Sequence, residues 1–303
     1  MNKKTLAALC TTVFLWGSAF VAIRIAAPHF SPEGLALLRL LIGAVLMLPI
    51  AGRHLFRKVE FRWIDIPHII LLATIGISLY HVFLAYGERS VPAGVASFVV
   101  GQMPIISALL AWWFYKEKVS FWGCVGLMIS VLGVSMIALA GNQEMAFTQG
   151  LWAIIGCTVF SGTYNVLIKP LLLRYDPVAL SVYIIWASLL CLLPYFPNLI
   201  HDVRTAPAAD SWVVVYLGVF PTALAYITWS YALAYLPTVK ATCWMFMLPL
   251  VSCLLGWAVL KEIPDLLTFL GGVIAMGGAI LVTLSKHKAG VVSQKNTALA
   301  EES

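Results

Sequence analysis

Residues 92–117 read PAGVASFVVGQMPIISALLAWWFYKE, and residues 237–262 read PTVKATCWMFMLPLVSCLLGWAVLKE. Both stretches begin on proline, carry a second proline at the same interior position (Pro104, Pro249) and end on Lys-Glu. The offset between them is 145 residues, and it holds well beyond these windows. Phe30, Ser31 and Pro32 fall on Tyr175, Asp176 and Pro177; Pro49 on Pro194; Tyr86 on Tyr231; Gly126 on Gly271; Gly133 on Gly278. No gap is needed after residue 30, and apolar composition alone does not produce so many coincident Pro and Gly positions. The chain therefore reads as two homologous halves, 5–140 and 150–285.

Between its first proline and its closing Lys-Glu each window is largely apolar, Lys240 near the start of the second being the one charge inside, and the rest of the 303 residues follow suit: 61% are hydrophobic and 11% charged, against about one quarter charged in soluble proteins. Apolar runs long enough for a helix to cross about 30 Å of hydrocarbon recur near 5–25, 33–51, 66–86, 93–114, 119–140, 150–169, 178–199, 212–235, 239–260 and 265–285. None alternates every second residue as a membrane β-strand would. The expected fold is an all-α integral membrane protein with ten transmembrane helices. The first run is too long for a signal core and lacks a small-residue cleavage site, so it reads as a retained span behind a short N-terminus, 1–4. The polar tail 286–303 reads as disordered.

Five spans per half is an odd number, so the second half must enter the membrane from the opposite face, giving two inverted five-helix repeats. Charge agrees. Of 19 Lys and Arg, fourteen fall at the termini and in the loops after spans 2, 4, 6 and 8, four (Arg24, Arg89, Arg204, Lys261) on the other side, and Arg39 inside span 2. That bias places both termini in the cytoplasm. The two Lys-Glu pairs then close matching spans at opposite surfaces. They read as helix-end charges at the interface, with the lysines snorkelling.

Other classes find little support. The six cysteines lie inside apolar runs and never as CxxC, so no metal site or disulfide framework is suggested. The net charge of +6 is not gathered into a basic cluster interleaved with aromatics on a soluble module, so no nucleic-acid partner is expected. An intramembrane enzyme would need a nucleophile with a base, or a metal-ligand set, at membrane depth. His81 has no such companion, and no cofactor is called for.

Trp16-Gly17 with Phe20 in span 1, Arg39 in span 2, the P-x-G-V-A-S run Pro92 to Ser97 leading to Pro104, then Glu117 and the glycines of span 5 resemble the drug/metabolite transporter superfamily, specifically its ten-span EamA-type branch. The second half departs where Phe160-Ser161 stands for Trp-Gly and Ile184 for the arginine. The resemblance covers nearly the whole chain. It implies a multi-pass secondary transporter of the bacterial plasma (inner) membrane, a monomer or weak homodimer, with a central cavity lined by spans 1, 3, 4, 6, 8 and 9. Family members often export amino acids, and the aromatic amino-acid exporters are a reasonable neighbour. The same fold also carries drugs, sugars and nucleotide sugars. Anionic nucleotide sugars should require several midplane cations, where only Arg39 is available.

Alternating access suits such a repeat, with the site near the midplane. Candidate substrate contacts are the polar and aromatic residues at that depth: Trp16, Phe20, Arg39, Tyr80, His81, Gln102, Tyr164, Asn165, Tyr226, Trp229, Trp244 and Met247. Polar side chains in hydrocarbon are costly enough to face protein or water. Pro104 and Pro249 each remove a backbone donor and serve as candidate hinges. No Asp or Glu lies deep in a predicted span, Glu33, Glu88, Glu117, Glu144, Glu262 and Asp265 all falling near ends, so His81 is the expected titratable group if protons are coupled. Arg39 is expected to hold a substrate carboxylate, or to pair with Glu33 or a backbone carbonyl.

Overall fold

The computed structural model describes residues 3–55, 62–115, 120–140, 149–236 and 241–284. Lys116, Glu117, Pro237 and the tail 286–303 lie outside them. Helices follow the predicted apolar runs: α1 (Lys3–Ala26), α2 (Pro32–Leu55), α3 (Trp63–Gly87), α4 (Ala93–Val100 and Met103–Tyr115), α5 (Phe121–Ala140), α6 (Gln149–Leu172), α7 (Pro177–Thr205), α8 (Ala208–Tyr235), α9 (Cys243–Met247, Leu248–Leu255 and Gly256–Leu260) and α10 (Leu266–Leu284). There is no strand among the described residues. Among them seven helices, α1 to α4 and α6 to α8, are long and apolar enough to cross a membrane; the apolar stretches of α5, α9 and α10 are shorter. The outer surface bears Phe14, Trp113, Phe121, Met128, Trp152 and Trp212, each more than half exposed, a belt that lipid covers at no cost.

Local chemistry sets the boundaries. Asp176 opens α7, its carboxylate accepting from the backbone N–H of Val178 (2.9 Å) and Ala179 (3.1 Å), with Pro177 in the first turn where its missing N–H is harmless. Ser120 and Asp265 cap α5 and α10 in the same way. Span 7 runs farther than the 178–199 expected, because Pro197 starts a further turn that buries Leu199 and Asp202. α4 breaks at Gly101-Gln102, just before Pro104, and in α9 a tight 3-10 segment gives way to α-helix at Pro249. Both helices thus lose their regular α-geometry just before the repeated proline.

The packing repeats with the same offset of 145, and it repeats crosswise. A Cβ on Gly17 in α1 would stand 2.6 Å from Val251 Cβ in α9; one on Gly162 in α6 would stand 2.5 Å from Ile106 Cβ in α4. Gly162 is the offset partner of Gly17, and Ile106 that of Val251. The counterpart of Trp16-Gly17 is therefore Ser161-Gly162, not Phe160-Ser161 as read from sequence; only the helix contact reveals which residue must be small.

Elsewhere the identities change while the contact stays. His29 pairs with Asp210 (2.6 Å) as Arg174 pairs with Asp65 (2.9 Å). Arg24 at the end of α1 donates to the carbonyl of Glu88 (2.6 Å), and Lys169, its offset partner, donates to the carbonyl of Leu233. Gly133 meets the Gly271 carbonyl and Gly278 meets that of Gly126, while Ser130 donates to the carbonyl of Ala275, its own offset partner, at 2.8 Å. Wide π-helical turns occur at Leu72–Leu79 in α3 and Gly218–Leu224 in α8.

Candidate functional site

Those two wide turns shape the interior. A π-turn breaks the regular i to i−4 ladder and leaves carbonyls for outside donors. In α8, Pro221 lies within the turn, and its carbonyl accepts from the Trp16 indole N–H at 3.0 Å. The adjacent Thr222 hydroxyl accepts from Arg39 Nε at 3.0 Å. In α3, Gly76 presses against the Tyr164 ring, which leaves no room for a Cβ. The turn ends at Tyr80 and His81, and His81 Nδ1 lies 2.7 Å from the Ile77 carbonyl.

Trp16, Phe20, Gly76, Tyr80, Met103, Ser161, Tyr164, Asn165, Tyr226, Trp229 and Leu248 enclose a central cavity. They come from α1, α3, α4, α6, α8 and α9, the six spans expected to line it. A second, adjoining space is bounded by Arg39, His81, Ala19 and Leu84 together with Trp16, Phe20, Tyr80 and Tyr226. Trp16 joins the two: its ring centroid lies 5.4 Å from those of both Tyr226 and Trp229. The Tyr226 ring in turn stands 6.0 Å from His81, its offset partner from the other half.

The floor is a buried polar chain. Trp229 donates its indole N–H to Asn165 Oδ1 (3.2 Å), while Asn165 Nδ2 and Ser161 Oγ point at the Met103 sulfur at 3.4 and 3.3 Å. Asn165 and Trp229 are essentially inaccessible to solvent, so this pairing satisfies groups that would otherwise be costly to bury. Arg39 is buried too, and among the described residues its bond goes neither to Glu33 nor to a backbone carbonyl but to Thr222 in the other half of the chain. The cavity is small, about 20 Å³, room for about one water. A pocket that holds a small-molecule ligand measures about 300–1,000 Å³. The lining therefore converges on an aromatic interior that leaves no ligand-sized space.

Nine of the twelve sequence candidates meet here. The other three stand apart: Met247 is 43% exposed, Trp244 packs into the core, and Gln102 is buried behind Met103 with its amide nitrogen on the Phe98 carbonyl (3.2 Å). The helix break at Gly101-Gln102 and the 3-10 segment at Cys243–Met247 rotate these positions off the face that unbroken helices would give them. The residues that do face the cavity there are Met103 and Leu248, each immediately before its proline and offset partners of one another. Neither is polar or aromatic, so a search for such residues passes them over, although the repeated proline marked both positions.

Known proteins carry the same pattern. The profile of the EamA-like transporter family matches twice, over residues 3–139 and 148–284, which reproduces the internal offset. A probable terminal-alkyne amino-acid exporter of Streptantibioticus cattleyicolor is 35% identical over 280 residues, covering 92% of this chain and 93% of that protein. The uncharacterized transporter YdfC of Bacillus subtilis is 34% identical over 291 residues, covering 95% and 94%. One solved crystal structure superposes with a TM-score of 0.65 at 18% identity, covering 94% of this chain and 98% of the other, a likeness of fold.

Proposed function

The chain belongs to the EamA-like transporter family of membrane transporters, and from that premise we propose that it exports amino acids with bulky apolar or aromatic side chains by alternating access. The observation that carries the reading is the closed cavity itself: aromatic walls from both halves, a buried cation at Arg39, and a helix-bound polar chain at Asn165. A hydrophobic side chain fits the rings, and a carboxylate fits a guanidinium whose remaining N–H groups match it in geometry. The exporter name of the Streptantibioticus relative supports the same substrate class.

Ten spans in two inverted repeats are the architecture this requires. Its support is the crosswise recurrence of packing contacts, since contacts made by one half are returned by the other through the same pairs of positions. With both termini in the cytoplasm of a bacterium, as the charge distribution favours, the Arg24 end faces outward and the Lys169 end faces the cytosol. Two matched latches at opposite ends of one closed cavity suit rocking of the halves around a fixed ligand.

The test is counterflow in proteoliposomes with a panel of radiolabelled amino acids. Tryptophan, phenylalanine and leucine should exchange, and Trp16→Ala should reduce that exchange without removing protein from the membrane. No movement of any amino acid would overturn the substrate assignment and turn the search to drugs or sugars.

A further inference from the structure

At the outward latch, Glu88 follows directly on the last residue of α3 and would pass, by sequence position, for a solvated loop acid. It is 0% exposed, and neither carboxyl oxygen has a hydrogen-bond partner among the described residues. The cations near it are engaged elsewhere. Arg24 spends Nε on Glu262 Oε1 (3.0 Å) and Nη1 on the backbone carbonyls of Glu88 (2.6 Å) and Arg89 (2.9 Å); Arg39 holds Thr222. Glu262 also accepts from the Ala93 N–H at the start of α4 (3.2 Å), so α1, the turn between α3 and α4, and the loop after α9 all converge here. Glu262 is thus a clasp between helices, not only an interfacial helix-end charge.

The groups that act on the Glu88 carboxyl are Arg24 and Glu262 at the latch and Arg39 from α2, with Tyr80 of α3 and Cys157 of α6 on its inner side. An ionised carboxylate without a donor cannot rest in such a place; the acid form costs far less. Burial accordingly pushes this carboxyl well above the usual carboxylate range, with Arg24 and Arg39 opposing and Glu262 adding to the rise.

We propose that Glu88 is a proton-binding site, loaded when the Arg24–Glu262 end of the cavity closes and unloaded when it opens. A proton from water forms the O–H bond on closure and returns to water on opening, so no other reactant is needed. The closed form has the raised affinity for the proton, so closure is fully favoured below the ordinary carboxylate range and weakens up to tenfold per pH unit until the closed-state value is passed. The inference takes the transporter reading as its frame and assigns it the ion that governs one gate.

Two measurements on the full chain in lipid nanodiscs test it without any substrate. Infrared titration at neutral pH should show the carbonyl band of a protonated carboxylic acid in the wild type and not in Glu88→Gln; identical spectra would overturn the proposal. Spin labels at the exposed positions Pro28 and Ile263, in a cysteine-free background, should move apart as pH rises in the wild type, while Glu88→Gln stays closed. An unchanged pH response in the variant would equally overturn it. Glu88→Met, apolar and similar in length, serves the same comparison should the amide fail to fold. If no amino acid is transported but these responses hold, the substrate assignment fails and the proton site stands.

Discussion

Gly17 and Gly162 offer a quantitative check on whether the two halves share one packing rule. A methyl on Gly17 would lie 2.6 Å from Val251 Cβ and 2.7 Å from its Cγ1; on Gly162 it would lie 2.5 Å from Ile106 Cβ and 2.7 Å from Cγ2, with the Met103 carbonyl at 3.1 Å. Carbon atoms rest at about 3.5–4.0 Å, so each helix pair must separate by about 1 Å. In both cases the first atom met is a Cβ, whose place is set by backbone, so no rotamer change relieves the overlap. Overpacking of this kind costs about 1–3 kcal/mol. Alanine is also the better helix former by about 0.8–1 kcal/mol, which would mask part of the loss. Gly277→Ala removes that ambiguity: a Cβ there has nothing within 4 Å, and it gains the same propensity. Gly17→Ala and Gly162→Ala should therefore each fall about 1–3 kcal/mol below Gly277→Ala in reversible unfolding in mixed micelles. Three variants of equal stability would refute the reasoning, and a loss at one glycine alone would refute the equivalence of the two contacts.

Three further outcomes are expected. Arg39→Ala should abolish transport at unchanged expression, because it removes both the buried cation and its bond to Thr222; unaltered flux would dismiss either role. Asn165→Leu strands the Trp229 N–H in the interior and should cost about 1–3 kcal/mol, most of which Trp229→Phe in the same chain should restore, since it deletes the orphaned donor. Accessible tags at the amino end and at residue 145 should map to opposite sides of the bilayer; the same side would end the inverted-repeat reading.

The helices and the duplication were legible because hydropathy and the Pro and Gly offsets are local properties of the chain. So were the six cavity-lining spans, through the family resemblance. What escaped depends on three-dimensional return. Arg24 and Lys169, or His29 and Arg174, occupy equivalent places with different side chains, and no comparison of letters pairs them before the contacts are seen. Glu88 escaped for a related reason: nearness to a helix end suggests nearness to water, whereas three elements fold over it. Trp244 is four residues before the cavity-facing Leu248 and would share its face on a regular α-helix, but the 3-10 turn at Cys243–Met247 breaks that spacing.

The two halves agree where they hold each other and disagree where they face the cavity. Contacts at Gly17 and Gly162, at Gly126 and Gly271, and at the side-chain pairs of Asp65 and Asp210 recur through the offset. Around the cavity the offset partners are unlike: Trp16 with Ser161, Phe20 with Asn165, His81 with Tyr226, Arg39 with Ile184, Trp229 with Leu84. A symmetric lining would present the same chemistry to both ends of a ligand. An amino acid has one charged end and one side chain, and a binding site for it gains orientation only if its walls differ. Two conformations related by exchange of the halves need the scaffold to stay equivalent, because each half must adopt the other's packing in turn. Unlike pairs at the lining within an equivalent scaffold are compatible with both demands, and on the proposed reading specificity rests in those pairs and not in the helix contacts that surround them.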